Sequence, residues 1–231
     1  MKSSVFILTF IVFSIFMSPV VHLQEPDDCN LVFQGKSRKS VKLRSEEDGA
    51  HYPKHNSGEP ITIGRWLEFT CSLETNLPSK IPETAPMDVE KTQISLEGYL
   101  LGVRFEKSHH EGDGKDNDLH VEIGESSNWN SKHVIVEIPP GDESCFARQS
   151  LWKLVYGNSR KKGDQYLLET PPRVVVTGYL FLDAAHMGEC KKQKIPFCEC
   201  NGGRGITKPD FPSQVQGLWE IHPVLKIRAV P

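Results

Sequence analysis

Four short stretches carry the residues able to do chemistry. "DLHVEIGE" spaces Asp118, His120 and Glu122 two apart, so a strand there puts all three on one face. "HVIVEIPP" carries Glu137 ahead of its stopping prolines, and Asp183 and His186 stand i, i+3 where another apolar run ends. "WEIHPVLKI" puts Glu220 and His222 on one pleat face, opposite Trp219 and Ile221. Three kinds of chemistry fit these residues. Carboxylate–imidazole hydrogen bonds satisfy buried histidines and fix a local structure. A divalent metal could take His120, His186 and His222 as nitrogen ligands, with Asp118, Asp183 or Glu220 as oxygen ligands or their supports. Such an ion would acidify a bound water for phosphodiester hydrolysis. A metal-free acid–base pair is the third reading, and in either enzymatic case the candidates for catalysis are Asp118, His120, Asp183 and Glu220. As a binding surface the set is Asp118, His120, Glu137, Asp183, His186, Glu220 and His222.

No tight motif sharpens the choice. The chain has no His-Glu-x-x-His, no Gly-x-Ser-x-Gly and no phosphate loop. His109 and His110, with Glu111 and Asp113, lie in a polar, Gly- and Asp-rich stretch that reads as a solvated turn. Tyr99, Phe105, Tyr179 and Phe181 could offer a stacking surface for single-stranded nucleic acid, although strand register sends Tyr99 and Phe105 to opposite faces. The formal net charge of −3 disfavours a strong phosphate-backbone binder. The basic clusters Arg160-Lys161-Lys162 and Lys191-Lys192 with Lys194 read as solvated loops. A small ligand, an oligosaccharide or a nucleic acid all remain open as partners, and the oligomeric state is open too.

The compartment is clearer. Lys2 followed by the apolar run Val5 to Phe16 is too short to span a bilayer, which takes roughly 20 apolar residues, and reads as a cleaved secretory leader covering residues 1–24. The expectation is a secreted or periplasmic chain with no membrane span after processing. Six cysteines, Cys29, Cys71, Cys145, Cys190, Cys198 and Cys200, then imply disulfides rather than free thiols. A zinc knot is disfavoured because the Cys-x2–4-Cys spacing is missing. One bridge is expected inside the insertion 187–216, leaving its third cysteine to reach Cys29, Cys71 or Cys145.

The elements that must position these residues read as mainly β. Thr62 to Leu73 is expected as a strand, and Leu77 to Met87, with three prolines, as a stiff connector. Ile94 to Lys107 is a long strand with interior Gly98 and Gly102, which mark bulges or sharp coiling. Asp118–Glu125 and His133–Pro140 follow as strands. A helix comes next, capped by Asp142, striped by Phe146, Leu151, Trp152, Leu154 and Val155, and ended by Gly157. Arg173–Asp183 and the C-terminal run complete the order strand, strand, strand, helix, strand, strand. That is the connectivity of a five-stranded OB-like barrel. Residues 25–93 form an N-terminal extension, and 94–231 the barrel domain with its Cys-rich insertion.

The strand motifs "GYLLGVRFE", "DNDLHVEIG", "HVIVEIPP", "VVVTGYLFLDAAH" and "WEIHPVLKI" resemble those of an uncharacterised bacterial family of small OB-fold-like proteins ending near Trp-Glu-Ile-His-Pro-Val. The resemblance spans about Ile94 to Val230 and implies a fold, not a reaction. Met187 to Gln216 departs from it. The expected function is an exported, disulfide-bonded binding or structural module. A metal-dependent hydrolase, first of all a nuclease, is the alternative, with a divalent metal as the one cofactor in view.

Overall fold

The computed structural model describes residues 29, 31, 33, 38–43, 59–105, 117–206 and 214–231. The expected leader, the loop holding His109 and His110, and most of residues 25–58 lie outside the described residues. Among the described residues the chain is mainly β, with eight strands joined in one sheet.

In chain order the elements are α1 (Lys39–Leu43), β1 (Ile61–Thr62), α2 (Ile63–Leu73), β2 (Gln93–Phe105), β3 (Leu119–Gly124), β4 (His133–Ile138), α3 (Asp142–Val155), β5 (Ser159–Lys162), β6 (Gln165–Leu168), β7 (Arg173–Leu182), α4 (Met187–Gln193) and β8 (Trp219–Ala229). β2 is long enough to serve two partners: Gln93–Tyr99 pairs with β7, and Tyr99–Phe105 pairs with β3. The register slips between Leu100 and Gly102, where one partner hands over to the other. Gly102 is required there, because a Cβ would stand 2.8 Å from the Trp129 ring. β3 pairs with β4, β4 with β8 in parallel, and β8 with β7. The pairings β2–β3–β4–β8–β7 therefore return to β2. Beyond the expected strands, β5 and β6 form a hairpin whose second strand pairs with β2, and the two-residue β1 also joins β2.

Two local readings of the sequence need correction. Residues 63–73 are helix α2, not a strand. Ile63, Trp66 and Thr70 recur at helical spacing on the buried face, and Thr62 caps the first turn by accepting from the Arg65 N–H. The apolar positions fit both periods, and the cap with the buried Trp66 decides for helix. In α3, Phe146 is 65 % exposed, while Ala147, Leu151, Trp152 and Val155 pack inward.

One core joins the pieces. Leu96, Leu100, Val121, Val136, Leu180 and Trp219 from the sheet pack with Trp66 of α2 and Trp152 of α3. Burying such side chains yields about 1.5–3 kcal/mol each. Three disulfides staple it: Cys29–Cys145, Cys71–Cys198 and Cys190–Cys200. One bridge lies within the insertion and its third cysteine reaches Cys71 on α2. Among the described residues no helix is long and apolar enough to cross a membrane.

Candidate functional site

Strand alternation divides β3, β4 and β8 into an apolar and a polar face, yet every residue of β3 and β4 is buried. The polar face is a covered layer, not a solvent-facing one. Glu220 and His222 are 2 % and 0 % exposed, and so buried as fully as Trp219 and Ile221 behind them. The cover comes from two segments, the short helix α1 and a loop. α1 brings Lys42 to 4.0 Å from Asp118 Oδ2. The loop 204–206 donates the Ile206 N–H to Glu122, and Arg104 donates to the carbonyl of Gly205.

The first cluster is built by cross-strand register. His120 lies directly opposite Glu137, with Nδ1 3.5 Å from Oε1. His222 reaches the same carboxylate, Nδ1 lying 2.8 Å from Glu137 Oε2, and its Nε2 lies 3.7 Å from Asp118 Oδ2. His120 Nε2 stands 3.9 Å from Glu122 Oε1. Glu122 in turn accepts at 2.9 Å from Nδ1 of His133, the histidine at the start of β4. Burial opposes ionisation of Glu137, but hydrogen bonds to His120 and His222 and the charge of Lys42 hold its pKa well below the usual carboxylate range. Burial likewise opposes ionisation of Glu122, and contacts with His120 and His133 and the Ile206 N–H bring its pKa down to about 2.

A second cluster gathers the other expected residues around Arg204. This guanidinium is 8 % exposed and binds Asp183 at 3.2 Å, Glu220 and the Gly217 carbonyl. His186 Nδ1 lies 2.5 Å from Asp183 Oδ2. Burial, reinforced by the neighbouring Glu137 charge, pushes Glu220 well above the usual range despite Arg204. Asp183 is also penalised by burial, yet His186 and Arg204 hold it low. His120 and His222 thus share Glu137, while His186 belongs to the other cluster. The three histidines do not ligate one common point.

Several partners could not be anticipated. Arg38 forms a two-pronged ion pair with Glu90, at 2.8 and 2.7 Å, and both are essentially fully buried. Arg38 also donates to the Leu182 carbonyl, and Glu90 accepts from the Leu182 N–H, so the N-terminal segment is bolted to the end of β7. Arg38, Glu90 and Arg204 all lie in stretches without periodicity, and His133 was read only as the opening residue of a strand. Phe181, one of the expected stacking aromatics, is 1 % exposed, with its ring against His222 and Arg38. Phe105 packs on the core.

An open cleft of about 380 Å3 lies elsewhere. Ser127 and Trp129 of the β3–β4 turn, Arg160, Leu167 and Leu168 of the β5–β6 hairpin, and Glu169 and Pro171 line it. Trp129 is anchored by edge contact with His133 and by the bare backbone of Gly102. Comparison with protein-family models, with curated proteins and with solved structures finds no match.

Proposed function

We propose that this chain is an exported, disulfide-stapled binding module on an OB-like barrel, and that its ligand is a short oligosaccharide seated in the Trp129–Arg160 cleft. The barrel reading draws on the circuit β2–β3–β4–β8–β7–β2, with a parallel β4–β8 pair and α3 placed between β4 and β7. The resemblance of its strand motifs to the small bacterial OB-like proteins agrees with it. Export is supported by the apolar leader together with three paired cystines.

The observation that carries the ligand assignment is the composition of the cleft. One indole, the apolar residues Leu167, Leu168 and Pro171, one guanidinium and one carboxylate line a volume within the ordinary range for small-molecule sites. An indole packs on the C–H face of a sugar ring. Arg160 and Glu169 can donate to and accept from its hydroxyls. A nucleic acid is the weaker occupant, since the chain carries formal charge −3.

The alternative, hydrolysis at a metal, draws on the His/carboxylate clusters. A polymeric substrate cannot reach Asp118, Glu137 or His222, which are 1 %, 7 % and 0 % exposed. Binding therefore takes precedence. The experiment is retention on a panel of immobilised oligosaccharides and oligonucleotides by the mature protein and its Trp129→Ala and Arg160→Ala variants. Sugar-selective retention lost in both variants supports the reading. Retention of oligonucleotides alone, or none at all, sinks it.

A further inference from the structure

The tightest meeting of ligand-type atoms in the described chain has nothing to do with the cleft. One carboxylate oxygen each from Asp118 and Glu137 and one imidazole nitrogen of His222 all lie within 4.8 Å of one another. Ligand atoms held around a single divalent ion stand roughly 3 to 4 Å apart, so a small contraction of these side chains would close on one ion. The three come from separate elements: Asp118 from the residue before β3, Glu137 from β4 and His222 from β8.

Charge favours a cation at this point. Two carboxylates this close and this deeply buried repel each other and lose hydration, and a buried site answers that cost with positive charge or with protons. Lys42 of α1 stands 4.0 Å from Asp118 and its charge also reaches Glu137, so the site already draws one cation toward it. Glu220 adds a further acid near Glu137. His120, 3.5 Å from the Oε1 atom of Glu137, sits where it can orient that carboxylate from behind, as residues supporting metal ligands do.

We propose that Asp118, Glu137 and His222 form a buried structural site for one divalent transition-metal ion, with His120 positioning Glu137. One imidazole nitrogen with two carboxylate oxygens suits Zn2+, Mn2+ or Fe2+ and is a poor match for the all-oxygen shells of Ca2+ and Mg2+. The competing arrangement on the same atoms is an imidazolium of His222 bridging the two carboxylates. In that case the ring carries two protons. A metal replaces at least one of them, so binding releases protons.

The experiment uses the mature protein with disulfides intact, stripped with a chelator and titrated with Zn2+, Mn2+ and Co2+. Expected are one ion retained per chain after gel filtration, proton release on binding, and a melting temperature that climbs with free metal. With Co2+, visible ligand-field bands appear and vanish in His222→Gln. Asp118→Asn loses stoichiometric binding, and His120→Ala weakens affinity about 10- to 100-fold, with circular dichroism confirming that each variant is folded. No retained ion and no melting shift with any of the three metals overturns the site. So does undiminished stoichiometric binding in folded Asp118→Asn and His222→Gln, since it puts the ion elsewhere. A wild-type titration without a retained ion overturns the site even if a variant fails to fold.

Discussion

Glu137 Oε2 and His222 Nδ1 lie 2.8 Å apart, bringing together β4 and β8, which pair in parallel with Val136 opposite Ile221. The contact sits on the face away from the core, under α1, and neither residue is more than 7 % exposed. A sheet with charged residues on one face ordinarily gives that face to water. Here a second set of chain segments covers it, and the acids and histidines must satisfy one another.

Glu122 supplies the clearest pH signature. Its folded pKa of about 2 lies below the usual value near 4.5. A depressed carboxylate contributes stability that is present above its unfolded pKa and is lost as the pH falls through the folded one. The window is thus pH 4.5 down to about 2, and the contribution at neutral pH is about 3 kcal/mol. Urea denaturation of Glu122→Gln should show that loss at pH 7 and a much smaller difference from wild type at pH 2.5. An equal deficit at both pH values would show that the substitution acts through packing rather than charge.

Glu220 has the opposite sign. Its folded pKa is raised, so its contribution is complete below the unfolded value near 4.5 and is lost as the pH rises through the folded value. Glu220→Gln keeps an acceptor for Arg204 and removes the charge. It should be as stable as wild type near pH 4 and more stable than wild type at pH 8. Melting curves across that range check it, and a Gln variant less stable at pH 8 would contradict the assignment.

The Arg38–Glu90 pair should be intolerant of half-removal. Arg38→Ala strands a carboxylate that is 0 % exposed, and breaking one side of such a pair costs about 3–5 kcal/mol. Removing both partners, as Arg38→Met with Glu90→Leu, should cost less than Arg38→Ala alone. Chemical denaturation of the three proteins distinguishes the cases.

The disulfides should differ in weight. Cys71–Cys198 spans 127 residues of sequence and Cys190–Cys200 spans 10. Loop-closure entropy assigns them about 5 and about 3 kcal/mol. Replacing each pair by alanine should rank the losses in that order, and untreated protein should show no alkylatable thiol. Losses of equal size would point to native-state contacts rather than chain entropy.

Part of this was legible in advance. Alternation placed Asp118, His120 and Glu122 on one face of β3, and Glu220 and His222 on one face of β8, because period-2 spacing fixes strand faces directly. The insertion's cysteines were likewise readable as one internal bridge and one outward. Burial of the polar face was not readable. Its covers, Arg38–Lys42 and Arg204–Ile206, are far from the strands in sequence and follow no period. Alternation alone assigns these residues to one face and says nothing of what covers it. Residues 63–73 were misread since Ile63, Trp66 and Thr70 sit in a run whose apolar spacing fits either period. The grouping of His186 with Asp183 and Arg204 depends on a side chain, Arg204, that carries no local signal.

The most direct test of a connected, buried charge layer is a double-mutant cycle on Glu137 and His222. Stabilities of wild type, Glu137→Gln, His222→Gln and the double variant give the coupling energy without assigning either residue's total effect. A buried, interacting pair predicts coupling above about 1 kcal/mol at pH 7. Additive losses, with coupling indistinguishable from zero, would contradict the account.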